Sequence, residues 1–197
     1  MSGRRWLVAA ALAVAFLQIG FLAWMIAGRA AVLRHGREVT LAVEPVDPRD
    51  LLRGDHVVLG YNISRVPAGL FQAGLFPAEE AAASSGEERT VHVRLKRGAD
   101  GVWQPVAAGF GVPPAPAAAD DEVDIRGTAR VPHGGDAFVA VAYGIERFYV
   151  PEGEGRAIEA KLDRRAFRMK VAVARDGTAQ IKSFHDGETM LYAEPLY

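Results

Sequence analysis

Two hydrophobic patterns divide the chain. From Leu7 to Ala27 the sequence LVAAALAVAFLQIGFLAWMIA is apolar on every side, with Gln18 its one strongly polar residue. At 1.5 Å per residue this run makes a helix of about 31 Å, the thickness of a bilayer's hydrocarbon. A soluble surface helix would show a polar face, and none interrupts the run. From Val39 the pattern changes to period two. Val39, Leu41 and Val43 alternate with Glu38, Thr40 and Glu44. Val57, Leu59, Tyr61 and Ile63 then alternate with His56, Val58, Gly60 and Asn62. Val91, Val93 and Leu95 alternate with His92, Arg94 and Lys96. Each set predicts a strand with one buried face.

Turn chemistry sets the connections. Asp100-Gly101 and Asp176-Gly177 each stand between two such runs, which predicts two hairpins. VDIRGTARV from Val123 to Val131 predicts a further strand, and DAFVAVAYGIERFYV from Asp136 to Val150 is rich in valine and aromatics. A short helix or a solvated loop is expected at 76–88, where Pro77 precedes two glutamates, and a short helix at 153–167, where Ile158 and Leu162 are four apart. The Pro- and Ala-rich stretch 111–122 reads as an exposed, partly extended loop that does not pack. The expected fold is a single N-terminal transmembrane helix followed by a mainly antiparallel β domain (α+β, a sandwich or partly open barrel) with one or two short helices. Its boundaries are an N-terminal flank 1–6, an anchor 7–27, a juxtamembrane linker 28–38 and a β-rich domain 39–197.

Charge and composition place this domain. Arg4 and Arg5 precede the apolar run, and Arg29, Arg34 and Arg37 follow it. Trp6 and Trp24 sit near its ends, where amphipathic rings favour the interface. A signal peptide's apolar core is shorter, about 7–15 residues, so the run reads as a retained single-pass anchor. The expected location is the cytoplasmic (inner) membrane, with the domain on its extracytoplasmic side. The flanking arginines are nearly balanced and do not set that orientation. The net charge is −1, with both signs mixed, which argues against a nucleic-acid partner. There is no cysteine, hence no disulfide, thiolate metal site or cysteine nucleophile. His35, His56, His92, His133 and His185 show no metal-ligand spacing, and no phosphate-binding glycine loop occurs. No cofactor and no metal are expected.

Two segments carry candidate binding residues. In RGDHVVLGYNIS, Arg53 to Ser64, Gly54-Asp55 reads first as a turn that sets the register of a central strand. The functional reading makes Asp55 a groove carboxylate partnered by Arg53 or Arg49. Tyr61 is expected to pack its ring on the core and use its hydroxyl at the rim. In YGIERFYVPEGEGR, Tyr143 to Arg156, carboxylates gather around two glycines, and Glu146, Glu152 and Arg156 are the candidates. The first reading of this stretch is structural, a strand end followed by a capped helix, because no carboxylate spacing here matches a calcium loop. Tyr143, Phe148 and Tyr149 would line a groove for a partner.

GDHVVLGY, Gly54 to Tyr61, resembles the signature of the bacterial GDYXXLXY protein family. Gly54, Asp55, Leu59 and Tyr61 match it, and His56 stands where the signature has tyrosine. DPRDLLRGD upstream and YGIERFYVPEGEGRAIE downstream are similar to that family too. The resemblance implies a membrane-anchored protein of uncharacterised function, in a family sometimes joined to or found beside multi-spanning membrane proteins. A weaker similarity is to signal peptidases, which also place a Gly-Asp pair before a strand and a Lys-Arg on a later one. Their serine would fall on Val46 or Asp47, and no serine occurs between Ser2 and Ser64. Lys96, the lysine counterpart, then has nothing to activate.

The functional expectation is a membrane-anchored, non-enzymatic β domain that binds or supports a membrane-protein partner. Its partners are the bilayer and a multi-spanning membrane protein, with no nucleic acid. The alternatives are a degenerate signal-peptidase-like scaffold and an unrecognised envelope hydrolase or ligand-binding module.

Overall fold

A computed structural model describes residues 2–44, 56–71, 86–132, 136–149 and 167–194, with backbone alone at 2–5, 56–58 and 148–149. Helix α1, Ser2–His35, includes the whole apolar run. Its stretch from Trp6 to His35 is long and apolar enough to cross a membrane, and its apolar window is not buried against the rest of the chain. The helix does not end at Ala27. It continues through most of the segment expected as a linker and docks on the domain, burying Ala30 and Leu33. Gly36 then closes it, donating its N–H to Val32 O at 2.8 Å. A Cβ on Gly36 would lie 2.5 Å from that same oxygen and 3.1 Å from Ala172 Cβ. Only glycine allows so tight a step from helix into strand.

The strands are β1 (Arg37–Glu44), β2 (His56–Val58), β3 (Gly60–Tyr61), β4 (Arg65–Pro67), β5 (Glu88–Arg97), β6 (Trp103–Phe110), β7 (Glu122–Arg130), β8 (Phe138–Ala142), β9 (Arg147–Tyr149), β10 (Phe167–Val173), β11 (Ala179–Asp186) and β12 (Thr189–Ala193). One five-stranded sheet has the order β12-β11-β10-β1-β3, and the other β4-β8-β7-β5-β6. A two-stranded ribbon, β2-β9, joins them at one end. Among the described residues these ladders are antiparallel and neither sheet closes into a barrel. Val39, Leu41, Met169, Val171 and Phe184 of the first sheet share one core with Val91, Val93, Leu95, Ile125 and Val141 of the second. The mainly antiparallel β domain behind an N-terminal apolar helix is therefore the fold.

Both Asp-Gly hairpins form where expected, with Gly101 at φ +80° and Gly177 at φ +82°. The second also ties the sheets together, because Arg126 N–H of β7 donates to Gly177 O at 2.8 Å. A third hairpin, β11–β12, turns at Gly187-Glu188 and adds a strand that the pattern does not predict.

Two expectations change, and a third falls almost wholly outside the described residues. The run through Val57 to Ile63 is not one central strand. It breaks at Leu59 into β2, which pairs with β9, and β3, which sits at the edge of the first sheet. Leu59 N–H extends the β2–β9 register by one rung, donating to Glu146 O at 2.8 Å. The alternation survives because Leu59, Tyr61 and Ile63 still face one core.

Second, the Pro- and Ala-rich loop is held to the sheet. Arg94, read as an outward residue of β5, is buried beneath it and donates to Pro114 O at 2.8 Å and to Pro116 O. Its guanidinium also grips Asp124 with two bonds of 2.8 Å. Arg37 adds donors to Asp120 O and Glu122 O, so most of the loop is exposed but its backbone is anchored.

Third, the helix or loop expected at 76–88 falls mostly outside the described residues, and Glu88 already belongs to β5. The helix expected at 153–167 also lies outside them, apart from Phe167 at the start of β10.

Candidate functional site

The two segments singled out in the sequence meet. Strand β2, which follows Gly54-Asp55, pairs with β9 in the register His56–Tyr149, Val57–Phe148 and Val58–Arg147. Just beyond this ribbon the chains are bolted together by two tyrosines. Tyr61 donates its hydroxyl to Ile145 O at 2.6 Å, and Tyr143 donates its own to Ile63 O at 2.8 Å. Both rings are buried. Burial, and then the nearby charge of Glu146, pushes both phenols far above the usual tyrosine range, so they stay neutral donors. The Tyr61 hydroxyl therefore does not sit at a rim, and Tyr143 does not line an open groove.

Glu146 has a defined task. Its carboxylate accepts from the backbone N–H of Tyr143 at 2.5 Å and of Gly144 at 2.9 Å. Gly144 takes φ +78°, as this tight turn demands. Its carboxylate closes the turn and its carbonyl receives Leu59, so Glu146 fixes the seam from both ends. Arg53, Asp55, Glu152 and Arg156 lie outside the described residues, as does Arg49.

A groove opens beside this seam. β7 and β8 are in register at Thr128–Ala142 and Ala129–Val141. Past those pairs Arg130–Pro132 and Phe138–Ala140 border an open groove of about 960 Å³. Leu59, Gly60 and Tyr61 border one end, the exposed ring of Phe138 supplies apolar surface, and Arg65, Arg130, Glu44 and Glu88 supply charge of both signs. Phe138 is exposed, with the Arg65 guanidinium 4.9 Å from its ring centre. That arrangement suits an extended segment carrying both apolar and charged side chains.

Among the described residues no group of three or more His, Asp or Glu side chains is placed to hold a metal. Lys96 is exposed and pairs with Asp121 at 3.1 Å and Glu122 at 3.6 Å. The Asp121 hydrogen bond holds its ammonium above the usual lysine range, the opposite of what a general base needs. One pair escaped the sequence reading: Ser183 Oγ lies 2.8 Å from His185 Nε2. Its signal was a Ser-x-His spacing on a strand, which puts both side chains on one face. Burial, and then Lys170, lowers the imidazole's pKa and keeps it neutral.

The family model described as GDYXXLXY protein matches residues 18–184, from inside α1 to β11. The chain belongs to the GDYXXLXY protein family. No curated protein and no solved structure matches it. Within this GDYXXLXY domain the Leu and Tyr of the signature, Leu59 and Tyr61, are core residues of the seam and also border the groove.

Proposed function

We propose that the protein is a non-enzymatic binding domain, anchored in the cytoplasmic membrane by α1 as a single pass and standing on the extracytoplasmic side. Its groove between β7 and β8 receives an extended segment of a multi-spanning membrane protein. The observation that carries this reading is that the signature residues Leu59 and Tyr61 border one end of that groove from the core, with Gly60 between them. A segment of mixed character fits it, since Arg65, Arg130, Glu44 and Glu88 all line it, with Arg130 and Glu88 neighbours across the β5–β7 ladder.

The docked helix supports the same reading. Ala30 and Leu33 are buried on the domain, so the groove is presented at a fixed height above the bilayer. A hydrolase is the second reading, and the Ser183–His185 pair favours it. Ser183 is only 6% exposed, however, which leaves a substrate little access to its hydroxyl.

Reversing the groove's charge tests the proposal. Arg65→Glu with Arg130→Glu is expected to abolish co-extraction of a multi-spanning protein in mild detergent while the melting temperature changes little. A chain that is recovered alone before any substitution would contradict the proposal. Loss of a hydrolytic activity in Ser183→Ala would favour the second reading.

A further inference from the structure

The first sheet packs against the lower part of α1 through β10 and β11. The apolar run ends at Ala27, and Arg29 follows within about 3 Å along the helix. Arg29 pairs with Glu194 at 2.6 Å, so the residue following β12 sits at the level where the helix enters the bilayer. Glu194 N–H in turn donates to Lys182 O of β11 at 2.9 Å. At the other end of this docked stretch Gly36 abuts Ala172 and Val173 of β10. Traced backward from Gly36 to Arg29, the helix thus crosses the sheet diagonally from β10 toward β12. Its path also advances along β11 from the Ala179 end toward Asp186, because Val173 is opposite Ala179.

That direction leads to the β11–β12 hairpin. β12 is an edge strand, and it exposes Met190 by 59% and Leu191 by 46%. Met190 stands opposite His185, which is opposite Arg168, so it projects from the same sheet face as Ala172, the face that α1 covers. Leu191 is three residues from Glu194, about 10 Å of extended chain. The headgroup region is about 6–7 Å deep on each side of the hydrocarbon. Both apolar side chains are therefore within reach of it.

We propose that the β11–β12 hairpin is a second membrane contact, with Met190 and Leu191 resting in the headgroup layer of the bilayer that α1 spans. Its partner is a lipid surface of low net charge, because Glu188 at the hairpin tip disfavours a strongly anionic one, the charge of Glu194 being balanced by Arg29. With the α1 anchor it would make a two-point attachment that fixes the domain's tilt and the direction in which the groove opens. This inference rests on α1 being a retained membrane span.

The absence of cysteine makes the test direct. The full chain carrying Leu191→Cys is labelled with an environment-sensitive fluorophore and reconstituted into phosphatidylcholine vesicles. Thr90→Cys, exposed on the other sheet, is the reference. The proposal expects a blue-shifted emission at 191 and at least twofold stronger quenching by headgroup-region nitroxide lipids than at 90. Equal quenching at the two positions, in chain that withstands a carbonate wash, overturns the hairpin contact alone. Shielding at 191 that disappears at one chain per vesicle identifies a second copy as the occupant and also overturns it. Chain that the wash strips from the vesicles overturns the span and the contact together.

Discussion

Tyr61 and Tyr143 each donate a hydroxyl into the other's strand segment, Tyr61 to Ile145 O and Tyr143 to Ile63 O, so each buried ring latches the chain that carries the other. Neither hydroxyl can turn to water, and removing one leaves a buried carbonyl without its donor. Tyr61→Phe and Tyr143→Phe should each lower stability by about 1–3 kcal/mol. Because both bonds hold one seam, the double substitution should cost less or more than the sum, a coupling readable in a double-mutant cycle of urea unfolding. Strict additivity would show two independent bonds rather than one latch.

Arg94 organises the Pro- and Ala-rich loop from below. Its guanidinium is fully engaged by Asp124 and by two loop carbonyls. Asp124→Ala strands a buried cation and should cost about 3–5 kcal/mol. Substituting both residues, Arg94→Met with Asp124→Leu, should recover part of that loss but not the loop's anchorage. Elastase, which cuts beside small residues such as Ala117 to Ala119, should then cleave the double variant there faster than the parent chain. Equal cleavage rates would mean that Arg94 does not hold the loop.

The fold carries a pH response in two stages, from Glu38 and His185 on the first sheet and His92 on the second. Lys182 at 2.7 Å, helped by Lys170 at 3.1 Å, holds the Glu38 carboxyl below its ordinary 4.5. A carboxyl lowered in the fold contributes stability above its unfolded value and loses it as pH falls through the folded one. His185 is lowered by burial and then by Lys170, and His92 by burial and then by Arg126. A histidine lowered in the fold binds its proton more readily when unfolded, so stability falls as pH drops below 6.5. The melting temperature should decline first below that value and again below 4.5. His92→Gln with His185→Gln should flatten the first decline and leave the second. A first decline that persists in the double variant would assign it elsewhere.

What the sequence made legible follows from how local each signal is. Val39, Leu41, Val91, Val93 and Leu95 alternate strictly and are all fully buried, because a half-buried strand writes its face directly into the chain. The Asp-Gly turns are equally local, and Asp186-Gly187 carried the same signal before the exposed β12. Long-range relationships left no such mark. The break at Leu59 depends on Glu146 O, which lies far along the chain. Arg94 reads as a solvent-facing partner of Val93 and Leu95 until the loop folds over it. Tyr61 and Glu146 were visible as residues, but their work inside the seam was not, since an aromatic or a carboxylate looks the same at a rim and in a turn.

Site-specific photo-crosslinking in living cells tests the central claim most directly. A photoreactive amino acid at Ala140, exposed in the groove, is compared with one at Gln104, exposed on β6. The binding-domain account predicts an adduct with a multi-spanning membrane protein from position 140 only, and its loss when Arg65→Glu and Arg130→Glu are added. No adduct at 140, or the same adducts from both positions, would contradict it.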